Sequence, residues 1–324
     1  VTCDLSVSIV TYNSAASLGP LFASIATQQG ASFELFIVDN ASTDETARML
    51  SQCGDSSVTR NASNVGYGRA HNQNRERFRG RYLLFLNPDV ILPRDLFSEM
   101  VGFLDRNPAI AIAGPMILEG TQRTPFPPRR FYPGEALLPL EPELDRKEPA
   151  WITGCCLAID RKVFESLGGF DPDYFLYFED TDLCWRARRA GFRIGWVPRC
   201  EVLHSGRGSQ SGLSEYEQAA MLFTGATVFW EKRYSARDAA SMFRFQASAA
   251  QMLLLALRLF PDSWRNGSLS VDRVRARRDV CRGWLTKRRR QLFPLDSRSW
   301  RIAARQLRLL AEWVRRGNLP VDDF

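Results

Sequence analysis

Long apolar runs are missing from this chain of 324 residues. The longest that bears on topology is Met252–Leu257, closed off by Gln251 and Arg258. A spanning helix needs about 20 such residues, so no membrane crossing is expected. No basic-plus-apolar leader stands at the start, which is Val1, and a secretory signal is not expected either. Histidine is scarce, with two residues, and the seven cysteines (Cys3, Cys53, Cys155, Cys156, Cys184, Cys200, Cys281) form no C-x-x-C pair. An odd, scattered set speaks against a disulfide framework or a zinc cluster and fits reduced thiols in the cytoplasm. On that reading the sequons at Asn40, Asn61 and Asn266 carry no weight.

What is present is ordinary in bulk and uneven in distribution. Hydrophobic residues make up 45% and charged residues 24%, which excludes wholesale disorder. The net charge of +7 hides a division: residues 258–316 hold 17 Lys and Arg against 5 Asp and Glu, while the remainder has 26 against 31. A mildly acidic body with a strongly basic tail implies different partners for the two parts.

Along the chain, Leu5–Val10 and Phe33–Val38 read as buried strands, each followed by a helical pattern, over 18–28 and 44–52. Tyr82–Leu86, Ile110–Gly114, the stretch 151–159 and Ile194–Val197 read as further strands. Helices are expected over 70–78, 161–167 and 179–190. The β-α-β-α alternation argues for a parallel, doubly wound α/β sheet. Thr121–Pro149 reads as an irregular excursion, and Ser205–Gly212 has the composition of a loop. From Glu215 onward the pattern is helical, which divides the chain into a body, 1–235, and a basic helical region, 236–324.

Carboxylates follow several of these strands: Asp39, Asp89 and the cluster Glu179, Asp180 and Asp182. In an open α/β sheet the strand ends form the ligand crevice. Acids converging there repel each other unless a cation or a hydrogen-bonding ligand is present, and a divalent metal holding a diphosphate meets that condition.

Five ordered motifs resemble those of family 2 inverting glycosyltransferases, more narrowly the bacterial rhamnosyltransferase-like branch. They are Ser8-Ile9-Val10-Thr11-Tyr12-Asn13, Val38-Asp39-Asn40-Ala41-Ser42-Thr43-Asp44, Asn64-x-Gly66-Tyr67-Gly68-x-Ala70-x-Asn72, Leu86-Asn87-Pro88-Asp89 and Phe178-Glu179-Asp180-Thr181-Asp182-Leu183. The resemblance covers about residues 1–235 and implies a GT-A type nucleotide-binding sheet. It implies that Thr11, Tyr12 and Asn13 lie against the nucleotide, and that Asp39 accepts from the base N–H, for which a pyrimidine imide is a suitable donor. Gly66 lets backbone approach the nucleotide, with Asn64 and Asn72 supplying polar contacts. Asn87 and Asp89 stand at the family's D-x-D position, where Asn replaces the first acid; Asp89 is then the carboxylate on Mg²⁺ or Mn²⁺. His204 resembles a histidine that completes the metal site in relatives. His71 matches no ligand position and is expected at the surface.

Asp180 corresponds to the second acid of the family's E-D pair, the general base that takes the acceptor's proton while the diphosphate leaves from the opposite face. Glu179 and Trp151 are placed on the acceptor side, Trp151 by stacking on a sugar ring. Arg207 is expected to close over the diphosphate.

In the tail, Lys287–Arg290 and an amphipathic stripe through Trp300, Ala303, Leu307, Leu310 and Trp313 read as an interfacial membrane anchor. A bundle packed on the body, or in a homo-oligomer, is the alternative. No nucleic-acid recognition motif accompanies the basic cluster. The expected activity is therefore transfer of L-rhamnose from dTDP-L-rhamnose to a cell-surface glycan, free or on polyprenyl diphosphate, at the inner face of the plasma membrane. The alternatives are a UDP-sugar donor (galactofuranosyl, glucosyl or N-acetylhexosaminyl transfer) or a silent carbohydrate-binding scaffold.

Overall fold

The computed structural model describes residues 3–52, 57–133, 148–206, 212–259 and 270–287. Its contacts divide the chain into two units: residues 1–131 with 144–212, and residues 132–143 with 213–324. The sequence pattern puts the boundary near 213–240, and the second unit resumes at Leu213, where the helix that begins at Glu215 packs on a later helix, Val271–Lys287.

The first unit is built on a nine-stranded sheet. Its strands are β1 (Leu5–Thr11), β2 (Phe33–Asp39), β3 (Val58–Arg60), β4 (Tyr82–Leu86), β5 (Val90–Ile91), β6 (Ile110–Glu119), β7 (Thr124–Phe126), β8 (Cys156–Asp160) and β9 (Arg193–His204). They lie in the order β3-β2-β1-β4-β8-β6-β9-β5, with β7 paired on β6. β1, β2, β3 and β4 are parallel, and β8 runs antiparallel between β4 and β6. The ends of β1, β2, β4, β6 and β9 therefore share one rim with the start of β8. The helices are α1 (Ala15–Ala26), α2 (Thr46–Leu50), α3 (Tyr67–Asn72), α4 (Leu96–Arg106), α5 (Arg161–Ser166) and α6 (Glu179–Arg189).

Both sheet faces are covered, which is why the central strands are buried throughout, including Ser6 and Ser8 of β1. On one face Leu5, Val7 and Ile9 pack with Leu18 and Leu21 of α1 and with Leu96, Phe97, Met100, Val101 and Leu104 of α4. The α4 residues recur at the spacing of one helical stripe. On the other face Val38, Leu83 and Phe85 pack with Ala70 of α3, Phe164 of α5 and Leu183 of α6.

His71, expected at the surface, is fully buried in this second core. Its Nδ1 meets Ser8 Oγ at 2.8 Å, and the rings of Tyr67, Phe85 and Phe170 surround it. Burial pushes the imidazole down to about 3, so it is neutral and structural. The six described cysteines are free, and four of the five in this unit are buried.

β6 and β9 run on together past the lengths their sequence suggests. Pro115 and Pro198 would ordinarily end them, but the pairing jumps from Pro115↔Val197 to Met116↔Glu201. A bulge on β9 absorbs Pro198, Arg199 and Cys200, after which the ladder continues to Glu119↔His204.

The second unit is helical among its described residues: α7 (Glu215–Arg233), α8 (Ala236–Leu259) and α9 (Val271–Lys287). Ser214 and Glu217 close a reciprocal capping box at the start of α7. Tyr132 stacks on Phe229 of α7, and Trp230 Nε1 donates to Pro133 O at 3.1 Å. No described helix is long and apolar enough to cross a membrane.

Asn72 was placed on the nucleotide, but both arms of its amide hold the Phe170 backbone: Nδ2 donates to the carbonyl at 2.7 Å and Oδ1 accepts from the N–H at 3.0 Å. Asn72→Ala should lose both bonds and lower stability by about 1–3 kcal/mol. The shift of the urea midpoint checks this, and a loss under about 0.5 kcal/mol, the level of an ordinary surface substitution, would remove the clamp from the account.

Candidate functional site

The rim collects the acids by strand register. Thr11 and Asp39 end β1 and β2 as direct neighbours. Thr11 Oγ1 donates to Asp39 Oδ1 at 3.1 Å and Ser42 Oγ donates to the same oxygen at 2.5 Å. Two hydroxyls thereby fix the carboxylate, which is 3% exposed, and leave Oδ2 as the oxygen that can face a ligand. Ser42 was not singled out from sequence; its place in the Asp39-Asn40-Ala41-Ser42 turn was the available signal.

The turns after these strands are tight. Asn13 and Ala41 both adopt positive φ, 50° and 64°. Asn13 Oδ1 accepts from Thr43 N at 2.8 Å, and its own N–H donates to Ser42 Oγ, which ties the β1 and β2 turns together. Tyr12 lies between them, half-buried. Asn64, expected on the nucleotide, instead accepts from Gly66 N at 2.9 Å through Oδ1, bracing its own loop. Gly66 sits at φ 91°, and a Cβ there would meet Phe175 O at 2.3 Å, so no other residue fits.

Past β4, Asn87 N donates to Cys155 O at 3.0 Å, which aligns the Asn87-Pro88-Asp89 turn with the start of β8. β5 then pairs with the end of β9, Val90 opposite His204, and Ser205 N donates to Asp89 O at 3.0 Å. This brings the His204 Nε2 to 3.1 Å from Asp89 Oδ1 and 3.3 Å from Asn87 Nδ2. The other nitrogen, Nδ1, lies 3.0 Å from Glu119. Burial alone would push this imidazole down, but the hydrogen bonds to Asp89 and Glu119 outweigh it and raise the group to about 10. His204 is therefore an imidazolium bridging two carboxylates. Glu119 was missed in the sequence, because the strand carrying it was read as ending at Gly114.

Across the rim, α6 presents Glu179 and Asp180. Asp180 Oδ2 accepts from Gly154 N at 2.7 Å, and Oδ1 accepts from Thr181 N at 2.5 Å and Thr181 Oγ1 at 3.1 Å. Burial pushes this carboxyl up against the pull of those donors. Tyr67, on α3, donates to Gly154 O at 2.7 Å, so one peptide is gripped from both sides. Asp182, fully buried, takes Arg186 Nε at 2.6 Å and braces the helix. The two residues before Glu179, Tyr177 and Phe178, have φ of 68° and 71°. Such conformations cost about 1–3 kcal/mol each and persist where the surroundings enforce them, commonly at functional sites.

Trp151 is half-buried against the second core, and its Nε1 donates to Phe131 O at 3.1 Å. Arg207 lies outside the described residues. The geometry thus joins Thr11, Asp39 and Ser42 at one end of the rim, Asn87, Asp89, His204 and Glu119 at another, and Gly154, Glu179 and Asp180 beside α6.

Comparison with known proteins gives these positions a context. The family model described as "Glycosyl transferase family 2" matches residues 6–168. The chain is 28% identical over 260 residues to the N-acetylglucosaminyl-diphospho-decaprenol L-rhamnosyltransferase of Mycobacterium tuberculosis, covering 69% of this chain and 84% of that protein. It is 27% identical over 172 residues to the rhamnosyltransferase WbbL of Escherichia coli K12, covering 43% and 61% respectively. Among solved structures, the mannosyltransferase PcManGT from Pyrobaculum calidifontis in complex with GDP-Man and Mn²⁺ aligns with a TM-score of 0.53 at 15% identity. That alignment covers 99% of this chain and 78% of the other. S. aureus TarS 1-349 in complex with UDP-GlcNAc aligns at 0.54 and 16%, covering 98% and 93%. These structural likenesses establish the GT-A fold. The family match takes in β2, β4 and β6, whose ends lie on the rim, with nearly all of β1 and the β8 start that joins them; it covers half of the chain, and on that ground the chain belongs to glycosyl transferase family 2 and is a glycosyltransferase.

Proposed function

We propose that the enzyme transfers L-rhamnose from dTDP-L-rhamnose, with inversion, to a hydroxyl of a cell-surface glycan carried on a polyprenyl diphosphate. The observation that carries the inverting chemistry is the setting of Asp180. Its carboxylate is fixed by the Gly154 and Thr181 N–H groups at the rim of the sheet, as a single positioned base requires. The choice of sugar and acceptor is supported by the rhamnosyltransferase names of the relatives. In this reading Asp39 Oδ2 accepts the base N3–H, Thr11 and Ser42 hold that carboxylate, and Asp180 takes the acceptor proton.

Asp89 and His204 fit a divalent cation, which on binding would displace the Nε2 proton that His204 otherwise shares with Asp89. A carboxylate oxygen and an imidazole nitrogen approach each other, and Glu119 on the far nitrogen is the outer carboxylate that commonly orients a ligating histidine. Among the described residues no three His, Cys, Asp or Glu side chains converge on one point. A cation there would take most of its ligands from diphosphate and water, as Mg²⁺ and Mn²⁺ do. When bound it would neutralise charge on the departing diphosphate.

The basic region is read as a peripheral contact with the anionic inner leaflet of the plasma membrane. Its charge supports this, together with Met252 and Leu255, half-exposed one turn apart on α8. The Trp300–Trp313 stripe lies outside the described residues.

Three outcomes test these readings. Asp180→Asn should lower transfer about 10²–10⁴-fold while donor-induced melting shifts persist; wild-type turnover would reassign the base. A thermal-shift panel of dTDP, dTDP-L-rhamnose, UDP and UDP-sugars should favour the thymidine ligands, and EDTA should shrink the response; a shift indifferent to EDTA would remove the cation, and one confined to UDP-sugars would move the donor. In flotation, the full chain should bind phosphatidylglycerol vesicles and release as salt rises and the screening length falls below about 8 Å. Equal binding to neutral vesicles would return the tail to a packing role.

A further inference from the structure

Glu179 and Asp180 are adjacent, yet their carboxyls have opposite surroundings. Asp180 receives three hydrogen bonds, two of them from backbone N–H groups. Glu179 is 5% exposed, and its buried Oε2 meets no donor among the described residues; the hydrogen bond that eases its charge comes from its own backbone. Gly68 of α3 lies against the side chain, where an added Cβ would come 3.6 Å from Glu179 Cβ.

The titratable groups that bear on it do not favour a charge. On its own helix these are Asp180 and Asp182, both acids. From α3 it is the Tyr67 phenol, whose hydroxyl is engaged on Gly154 O. Arg186, further along α6, is held on Asp182 and on the carbonyls of Leu167 and Gly169. A carboxylate buried beside like charge with one oxygen unpaired is the unfavourable form. Burial first, and Asp180 second, push the Glu179 carboxyl up to about 8.

We propose that Glu179 is a positioning residue that acts through Asp180: it remains a neutral carboxylic acid during turnover and leaves Asp180 as the single anion of the pair. The inference rests on the reading of Asp180 as the base. With Glu179 neutral, Asp180 stays seated on Gly154 N–H. With Glu179 ionised, two adjacent anions repel, and the relief open to them is movement of Asp180 off its donors. Misplacing a reacting group by about 1 Å can cost on the order of 10²-fold in rate.

Two measurements on the full chain test the idea. The first is infrared spectroscopy at pH 7, where wild type should show a protonated carboxyl C=O band that Glu179→Gln lacks. The second is the pH profile of nucleotide diphosphate release from dTDP-L-rhamnose, UDP-glucose and UDP-N-acetylglucosamine, using whichever is turned over. Wild type should lose activity about tenfold or more between pH 7 and 9.5, and Glu179→Gln, whatever its level at pH 7, should show a profile that stays flat above it.

Melting should agree in sign. A carboxyl raised from about 4.5 to about 8 contributes stability below pH 4.5 that is lost as pH rises to 8, so Glu179→Gln should gain on wild type between pH 5 and pH 8.5. A missing infrared band overturns the inference by itself, whatever the donor. So does an alkaline fall that survives in Glu179→Gln, or a melting difference that does not change with pH. Full activity of Asp180→Asn would overturn the base reading and this inference together, whereas an inactive Asp180→Asn with no infrared band would overturn this inference alone.

Discussion

The reversed direction of β8 governs the site. A sheet of parallel strands offers only strand ends at its ligand rim, each followed by a turn into a helix. By running antiparallel between β4 and β6, β8 brings a strand start to the same rim. The backbone before it, Gly154 and Cys155, is then free to hold neighbours. Cys155 O fixes the Asn87 turn, and Gly154 N fixes Asp180 while its carbonyl takes Tyr67. One short peptide segment thus spaces the Asn87 turn from Asp180. Because these groups are backbone immediately before a buried strand, their positions are set in advance of any ligand.

The electrostatics follow from that frame. Acids gathered at one rim would repel, and the protein handles each differently. Asp39 is held by two hydroxyls, Asp180 by amides, Asp182 by Arg186, and Asp89 with Glu119 by one imidazolium between them. Glu179 keeps one buried oxygen without a donor among the described residues, and the proposed neutral form is the way that cost is avoided. The strained turns at Asn13, Ala41, Tyr177 and Phe178 stand beside these acids and not in the sheet interior.

Much of this was legible in the sequence, where pattern and chemistry coincide. β1, β2 and β4 are largely apolar runs ended by polar turns, so their ends, and with them Thr11, Asp39 and Asp89, are legible in the sequence. The misses have physical reasons. β3 and β5, of three and two residues, are too short to carry a period. α3 begins at Tyr67, three residues before the polar stretch suggests, because the Gly66 turn and Phe175 O set its start. That start puts His71 inward, where Ser8 Oγ, itself an unremarkable polar residue in a strand, supplies the partner. Asn72 is an amide whose two arms the Phe170 backbone holds, and Asn64 Oδ1 accepts from Gly66 N. Glu119 was hidden by Pro115 and Pro198, which read as strand ends until a bulge lets the ladder continue past them.

The second unit begins in the sequence long before most of it is made. Tyr132 and Pro133 lie within the stretch otherwise devoted to the sheet, yet their partners are Phe229 and Trp230, 97 residues onward from each. At synthesis rates of about 5–20 residues per second, that interval leaves Tyr132 without its stacking partner for about 5–20 s. The sheet strands on either side of it, β7 and β8, pair with β6 and β4, and β9, which completes the β6 ladder, ends at His204. During biosynthesis every strand of the sheet is therefore made while Tyr132 still waits for the helix that holds it.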